Sequence, residues 1–476
     1  MSNRREFMKK STVMFSALPV FAGNEAVSAR EIDKSKERLD PGVKLVRDGI
    51  KFARENKKQN TPPVLREEIM DNPNAVFIIR TNVKSVKDND GRFPPENEQF
   101  ERAGYETVGK IFRKGSVSGG TTYIKPNFVG GFNADERSVN NGISTHPAYV
   151  AGFCEALRSI GNRNIVVGAN GGARHKNFVE SGLSEIMHEH DICFTEGKYD
   201  SFHDYEKSEV VWEECPDGVV MKKIPFFTLT KAKDTTFINL AKSRIHQLGL
   251  TTLTIKNLQG IMPVGYMHIC NSWIRASRNG SNVTWSLENA MKLQPNKKIF
   301  NPNYQREIED LYVKHARMNY KYWDEGGIVR DYYKAGGWDA YKNGSFVPDR
   351  RIFWGEQWGQ RMMDINSTIT PYINLVEGVV GIDGANKLHL NNFITISRNR
   401  VSCDSMASWL MGHDPRELPY LRIAAERGLG SNDIEAMKIY EITDRGVEKV
   451  SDYRNIPRAR MGVWVYSVKG APLRYF

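Results

Sequence analysis

Two short stretches of the sequence place a lysine and an asparagine where an apolar run ends. Lys256 and Asn257 lie in the stretch TIKNLQG, and Lys125 and Asn127 lie in the stretch YIKPNFVGG. Burying an ammonium group is costly unless something pairs with it, and the alternative is a lysine that extends to the surface beside a turn. We predict that the two stretches face one site. There the lysines would bind a carboxylate or phosphate or stabilise a developing negative charge.

Two histidines stand close in the sequence to this chemistry. His246 precedes the Lys256 stretch, and His146 follows Ser144 and Thr145, which can cap the helix predicted to begin there. A histidine with a pKa near neutrality can transfer protons, and a hydrogen-bonded core histidine is the alternative. His246, His146 and Lys256 are our candidate catalytic residues.

Further polar residues follow predicted strands, and the ligands of open α/β sheets gather beyond the carboxyl ends of the strands. The candidate substrate-binding residues are Lys125, Asn127, Asn170 and Asn257, and Asp383 is a candidate metal ligand. Glycines after these positions would let backbone amides approach an anion. The sequence contains no Walker loop, complete Gly-x-Gly-x-x-Gly fingerprint or Gly-x-Ser-x-Gly elbow. Nucleotide binding and serine hydrolase chemistry therefore gain little support.

Cysteine use limits the cofactors that the chain could hold. The five cysteines form no Cys-x-x-Cys pair, so we expect no iron–sulfur cluster from the chain's own cysteines. An odd count leaves at least one thiol unpaired, and Cys193 and Cys215 are candidates for a disulfide. The cofactor is otherwise unknown, and a divalent metal at Asp383 is one candidate.

Short apolar runs alternate along the chain with stretches of helical spacing. Strands are predicted over 75–80, 121–126, 164–168, 234–240, 372–385, 393–396, 439–442 and 463–466. Helices are predicted over 99–112, 147–160, 176–190, 402–411 and 418–427. This alternation predicts an α/β fold with a doubly wound, mostly parallel sheet.

Changes in composition divide the chain into five predicted parts. These are a signal peptide over 1–29, an N-terminal helical arm over 30–74, the α/β core in two parts over 75–271 and 361–476, and an aromatic-rich, largely helical or irregular insertion over 272–360. The insertion holds six of the nine tryptophans. It could form a cap that binds a sugar or an aromatic ligand, or it could simply pack over the sheet.

The N-terminus carries the most specific local signal. Residues 3–10 read NRREFMKK, in which Arg4 and Arg5 are followed by Phe7 and lysine as in the twin-arginine export motif. An apolar stretch follows, and the small residues VSA at 27–29 offer a cleavage site. We predict that the Tat export machinery is a partner and that the protein is periplasmic. No later apolar run is long enough to span a membrane, so no stable membrane span is expected.

The charge balance bounds the choice of ligand. The formal net charge is +11 over 476 residues, of which 26% are charged and 40% hydrophobic. This composition is that of an ordinary folded protein, and its positive balance favours anionic partners. No stripe of basic residues interleaved with aromatics is present, so nucleic acid is not an expected partner. A small anionic or sugar-like molecule is the expected ligand.

Taken together, these motifs resemble one bacterial and archaeal family, which is called domain of unknown function 362. The motifs that carry the resemblance are KPN at 125–127, STHP at 144–147, His246 with IKNLQG at 255–260, EGVVG at 377–381 and MGHDP at 411–415. They lie within 75–270 and 360–435. Some family members carry ferredoxin-type iron–sulfur modules, which implies redox work for them. This sequence lacks the cysteine runs of those modules.

The leading hypothesis is an exported enzyme that acts on a small anionic or hydroxylated substrate in a cleft at the strand ends. Lys125, Asn127, Lys256 and Asn257 would bind the substrate, and His146 or His246 would move a proton. One alternative is a non-catalytic periplasmic protein that binds an oligosaccharide or handles a metal or cofactor. Another is a redox protein with a non-covalent cofactor.

Overall fold

The structure of the chain is a computed structural model. The residues described are 49–84, 98–128, 142–169, 183–196, 209–218, 223–246, 249–262, 350–383, 387–462, 467–468 and 471–472. The strands are β1 (Val64–Leu65), β2 (Val76–Arg80), β3 (Phe112–Arg113), β4 (Thr121–Pro126), β5 (Ile165–Ala169), β6 (Cys193–Glu196), β7 (Val210–Glu214), β8 (Lys223–Phe227), β9 (Thr235–His246), β10 (Leu250–Thr252), β11 (Ile373–Ile382), β12 (Leu388–Ser397), β13 (Ile439–Thr443), β14 (Gly446–Lys449), β15 (Ser467–Val468) and β16 (Ala471–Pro472). The helices are α1 (Gly49–Asn56), α2 (Glu67–Met70), α3 (Glu98–Ile111), α4 (Pro147–Ser159), α5 (Leu183–Glu189), α6 (Thr228–Lys231), α7 (Thr254–Asn257), α8 (Arg350–Thr368), α9 (Arg400–Leu410) and α10 (Pro419–Glu426).

A ten-stranded mixed sheet forms the centre of the described chain. Its order is β14-β13-β2-β12-β11-β9-β4-β5-β6, and β10 pairs with the end of β9. Neighbouring strands are parallel from β11 through β9, β4 and β5 to β6, and β13 is parallel to β2. β12 is antiparallel to both of its neighbours, β11 and β2. The sheet is therefore mostly parallel, with its antiparallel pairs concentrated on one side.

Helices cover both faces of this sheet. In β2, Phe77 and Ile79 belong to the core that includes residues of α3 and α4, whereas Val76 and Ile78 belong to the core that includes residues of α9. Successive side chains of a strand point to opposite faces of a sheet. α3 and α4 therefore lie on one face and α9 lies on the other, which confirms the predicted α/β fold.

α3 and α4 pack closely because each has a glycine where they meet. A Cβ atom at Gly104 would clash with the carbonyl oxygen of Tyr149, and one at Gly152 would clash with the backbone of α3. The close approach places the beginning of α4 beside α3. There His146, which precedes α4, stacks on Phe100 with ring centroids 3.7 Å apart.

The observed elements differ from the predicted ones at several places in the described chain. β4 has its predicted bounds, and β2 begins one residue later than predicted. β9, however, continues six residues past its predicted end at Leu240, to His246. The β7–β8 hairpin, β10 and α8 have no predicted counterpart. α8 also crosses the predicted boundary at residue 360 between the insertion and the core. The signal peptide, most of the insertion and the strand predicted at 463–466 lie outside the described residues.

The candidate disulfide between Cys193 and Cys215 is wrong, because neither cysteine forms a disulfide and both are buried. The Cys215 sulfur instead lies 3.4 Å from the hydroxyl of Ser367 on α8. Cys154 and Cys403 are also free and buried. In the described part of the chain, no helix combines the length and the hydrophobicity needed to cross a membrane.

Candidate functional site

The order of the strands in the sheet reverses direction between β4 and β9. β4 leads through α4 to β5 on one side, whereas β9 lies on the other side of β4 and next to β11. α4 contributes to the core on one face of the sheet, and Leu253, which leads into α7, contributes to the core on the other. Open α/β sheets bind ligands beyond the carboxyl ends of their strands at such a switch point. A site is therefore expected at the ends of β4 and β9.

The two lysine–asparagine stretches meet at this place. Lys125 is the next-to-last residue of β4, and Asn257 is the last residue of α7. The Lys125 ammonium donates to Asn257 Oδ1 over 3.2 Å and to the Pro126 carbonyl over 2.5 Å. Asn257 Nδ2 donates in return to the Lys125 carbonyl over 2.8 Å. This reciprocal contact ties α7 to the end of β4.

A chain of buried amides continues from Asn257 across the sheet. Asn257 Nδ2 also donates to Asn239 Oδ1 on β9 over 2.8 Å, and Asn239 Nδ2 donates to Asn374 Oδ1 on β11 over 2.9 Å. Asn374 Nδ2 then donates to the carbonyls of Ser397 and Arg398. A buried polar network whose members are satisfied is rigid. Asn239 and Asn374, which the sequence analysis did not identify, thereby help to orient Asn257.

Positive charge accumulates around Lys125. Lys125 is 2% exposed, and Lys256 on α7 is 8% exposed. Burial and, to a smaller extent, the charge of Lys256 lower the pKa of Lys125 to about 7. The two groups that accept hydrogen bonds from the Lys125 ammonium, a carbonyl and an amide, are both neutral. Near neutral pH the Lys125 amine is therefore divided between its charged and uncharged forms.

Arg244 extends this positive region, and His246 lies beside it. Burial, followed by the charges of Lys256 and Arg244, lowers the pKa of His246 well below its ordinary value, so its ring is neutral. His246 Nδ1 accepts the Gly249 N–H over 3.1 Å, and the ring stacks on Trp358 with centroids 5.5 Å apart. The proton of the neutral ring is then on Nε2, which can donate. We call Lys125, Arg244, His246 and Lys256 the basic cluster.

His146 and Asn127 organise the beginning of α4. His146 Nδ1 accepts the Ala148 N–H over 3.2 Å, which caps the helix, and the His146 N–H donates to Glu377 Oε2 over 3.3 Å. Asn127 Nδ2 donates to the Ile143 carbonyl over 3.1 Å, which closes the loop before the helix. These contacts are structural in kind. The roles predicted for both residues in substrate chemistry stay predictions.

A buried ion pair on β9 and β11 was not found from the sequence. The Lys242 ammonium lies 2.5 Å from Glu377 Oε2, and both side chains are 0% exposed. Glu377 Oε1 also accepts the Val379 N–H over 2.9 Å. Burial lowers the pKa of Lys242, and the Glu377 carboxylate opposes this effect. The one signal for the pair is that Glu377 begins the motif EGVVG, which carries the family resemblance.

Asp383 pairs with a histidine at the end of the β11–β12 hairpin. Its Oδ2 lies 2.8 Å from His389 Nε2, and its Oδ1 accepts the Lys387 N–H over 2.9 Å. Among the residues described, no group of three or more His, Cys, Asp or Glu is placed to hold a metal ion. Metal binding by Asp383 stays a prediction, and Asn170 lies outside the described residues.

The fold and the basic cluster define a class of protein, namely a doubly wound α/β protein with buried cations at a topological switch point. The family model for "Domain of unknown function (DUF362)" matches residues 122–409, more than half of the chain, and the chain belongs to that family. The matched range contains the whole basic cluster and the amide chain. No curated protein and no solved structure matches the chain.

Proposed function

We propose that this protein is an enzyme that binds a small anionic or hydroxylated substrate at the basic cluster. The observation that carries the proposal is the burial of Lys125 beside Lys256 at the carboxyl end of β4. Bringing two ammonium groups together in a site of low dielectric costs free energy. A carboxylate or phosphate that binds there would offset this cost, because each group prefers an opposite charge.

Proton transfer by Lys125 is the chemistry that the site supports best. A group whose pKa lies near the working pH can both give and take a proton, and the pKa of Lys125 is about 7. A bound anion would raise this pKa, because a nearby opposite charge favours the ammonium form. Lys256 would hold the anion and stabilise negative charge that develops during the reaction.

His246 serves this scheme as a hydrogen-bond donor. Its Nδ1 is occupied by the Gly249 N–H, so a substrate oxygen would meet the Nε2–H of a neutral ring. This assignment differs from the predicted role of His246 as a residue that moves a proton. Burial of the ring, together with the positive charges of Lys256 and Arg244, keeps the ring neutral and supports this assignment.

Binding of inorganic phosphate, measured by titration calorimetry, tests the anion site. The wild-type protein should bind phosphate, and Lys125→Met and Lys256→Met should each weaken binding by about tenfold or more, since each removes a charged hydrogen-bond donor. Lys449→Met, on the exposed end of β14, is the matched control and should bind as the wild type does. Equal binding by all four proteins, or no binding by the wild type, contradicts the proposal.

Turnover requires a separate experiment. The protein is incubated with a panel of small hydroxy acids, keto acids and phosphate esters, and substrate loss is followed by NMR. Conversion by the wild type and by Lys449→Met, but not by Lys125→Met, supports an enzyme that uses Lys125. Phosphate binding without conversion of any compound favours the non-catalytic binding protein. Visible absorbance of the purified protein favours the redox alternative.

The N-terminal motif supports export by the Tat machinery to the periplasm, which we include in the proposal. Replacing both Arg4 and Arg5 by lysine keeps the positive charge but removes the paired arginines that the motif contains. Cell fractionation should then find the variant in the cytoplasm and the wild type in the periplasm. A wild-type protein that stays in the cytoplasm contradicts this part of the proposal.

A further inference from the structure

α7 carries two residues of the site but is too short to be stable by itself. It has four residues, Thr254–Asn257, and all four are buried. Isolated helices need about three turns or more to be even marginally stable in water. The orientation of Lys256 and Asn257 must therefore be imposed by the elements around α7.

Asp404 on α9 makes the contacts at the beginning of α7. Its Oδ1 accepts the Thr254 N–H over 2.8 Å and also the Thr254 hydroxyl, and its Oδ2 accepts the Ile255 N–H over 3.0 Å. A helix leaves its first backbone N–H groups without partners inside the helix. The Asp404 carboxylate satisfies two of them in α7 and adds a side-chain bond, so it acts as a cap supplied from another element.

Asp404 is itself held in place. It is 0% exposed and lies in α9, whose first turn is capped by the side chain of Asn399. Arg400, one turn earlier on α9, contributes a favourable charge to Asp404, and its guanidinium donates to the Ile369 carbonyl over 2.5 Å. A buried, hydrogen-bonded carboxylate on a packed helix is a rigid point of attachment.

Two other side chains form hydrogen bonds with the backbone of α7, and both bonds are to its carbonyl oxygens. Asn239 Nδ2 donates to the Thr254 carbonyl over 3.0 Å, and Asn366 Nδ2 on α8 donates to the Ile255 carbonyl over 3.1 Å. Asp404 differs from both because its two carboxyl oxygens accept backbone N–H groups at the N-terminal end of α7. Its removal would leave the Thr254 and Ile255 N–H groups buried without these acceptors, which is costly.

We propose that Asp404 is a positioning residue that fixes α7, and with it Lys256 and Asn257, in the orientation in which the basic cluster binds its anion. The inference rests on the proposed function, because it explains how that site is held ready. Binding groups held by neighbouring residues in the productive orientation lose less freedom when the ligand binds. Asp404 thus acts on the anion through α7 and not by contact.

Amide hydrogen exchange tests the structural half of this inference without any ligand. In Asp404→Ala, the Thr254 and Ile255 amides should exchange about tenfold faster or more, since they lose their acceptors. Asp404→Asn keeps one acceptor oxygen and should show a smaller increase. Asp433→Ala is the matched control, because Asp433 caps a different, exposed turn by accepting the Glu435 N–H over 3.1 Å. It should leave exchange in α7 unchanged.

Phosphate affinity tests the functional half. Asp404→Ala should bind phosphate about five- to tenfold more weakly, which is the loss expected for a removed cap, and Asp404→Asn should bind with intermediate affinity. In a Lys256→Met background the Asp404→Ala change should have little further effect, because the lysine through which it acts is gone. A merely structural role would give the same loss in both backgrounds. If Asp404→Ala does not fold, Asp404→Asn carries both measurements.

The outcomes separate this inference from the proposed function. Wild-type affinity in Asp404→Ala overturns the inference alone, as does unchanged exchange in α7. Failure of the wild type to bind phosphate overturns the proposed function and with it the link between Asp404 and an anion. Faster exchange in α7 together with weaker binding that depends on Lys256 supports both.

Discussion

Two buried lysines in neighbouring strands of one sheet have opposite surroundings. Lys242 on β9 lies 2.5 Å from the carboxylate of Glu377, and both side chains are fully buried. Lys125 on β4 donates to a carbonyl and an amide, and the charge that acts on it is that of another lysine. The first lysine has its counter-charge within the protein. The second would gain a counter-charge if an anion bound beside it.

This difference separates a structural lysine from a candidate functional one. A buried charge paired inside the fold is costly to disturb but gains nothing from a ligand. A buried charge beside a like charge lowers stability in the empty protein and gains interaction energy when an anion binds. Burial alone would not distinguish Lys125 from Lys242, whereas the charge of the nearest partner does.

The largest effect expected from this comparison is on stability at the paired lysine. Lys242→Met should lower the free energy of unfolding by about 3–5 kcal/mol, because it leaves the Glu377 carboxylate buried without its ammonium partner. Denaturation with urea measures the loss. Removing both charges in Lys242→Met/Glu377→Gln should restore much of it, since glutamine can still accept a backbone N–H. A loss below about 1 kcal/mol in the single variant would show that the pair is not the structural element inferred here.

In contrast to Lys242→Met, Lys125→Met should change stability little and phosphate binding strongly. Removing the ammonium ends its desolvation cost but sacrifices two hydrogen bonds to neutral acceptors, each worth about 1 kcal/mol. The net change in the free energy of unfolding should therefore stay within about 1.5 kcal/mol, while phosphate binding weakens by about tenfold or more. Urea denaturation and calorimetry on the same preparation provide both values. A stability loss as large as that of Lys242→Met would return Lys125 to a structural role.

The pH dependence of stability sharpens the comparison further. Lys125 has a pKa of about 7 in the folded protein against an ordinary value of 10.5. Between these values the unfolded chain binds the extra proton, so this group makes stability rise with pH in that window, by at most about 1.4 kcal/mol per pH unit. Lys125→Met should remove that slope. Urea denaturation between pH 7 and 10 measures it, and an unchanged slope in the variant contradicts the assignment.

Asp404 should contribute in a lower pH range and with the opposite sign. Burial raises its pKa from 3.8 to about 7, although its hydrogen bonds with Thr254 and Ile255 oppose the shift. The folded protein then binds the extra proton between these values, so stability should fall as pH rises from about 4 to about 7. Asp404→Asn should flatten this part of the profile and leave the part above pH 7 unchanged. A fall that persists in Asp404→Asn would assign it to other groups.

The sequence predicts well those strands that consist of a local apolar run. β2 and β4 match their predicted bounds to within one residue because each is a short, continuous apolar run. The end of β9 could not be predicted, because Lys242 is accommodated in a buried strand by Glu377, which lies 135 residues away in the chain. α7 depends in the same way on Asp404, 150 residues from Thr254. Such partners are visible only once the strands are in place.

The candidate site likewise has features that the sequence predicts and features that depend on partners distant in the chain. The similarity of the two lysine–asparagine stretches predicts that they share a site, and Lys125 does contact Asn257. The amide chain and Arg244 could not be found in this way, because an asparagine or arginine inside a strand gives no sign of what it faces. The side chain of His146 serves as a helix cap, a role that the sequence assigns to Ser144 and Thr145 instead.

The smallest expected effect concerns a carboxylate–histidine pair that is neither fully buried nor part of the basic cluster. The side chains of Asp383 and His389 are 8% and 16% exposed and pair over 2.8 Å. Because water screens a pair at the edge of a structure, His389→Ala should cost no more than about 1 kcal/mol, well below the loss for Lys242→Met, and phosphate affinity should stay at the wild-type value. Urea denaturation and calorimetry test both points. A large loss of phosphate affinity would show that the binding site extends to the β11–β12 hairpin. The charge of a residue's nearest partner would then not be enough to decide which residues belong to the site.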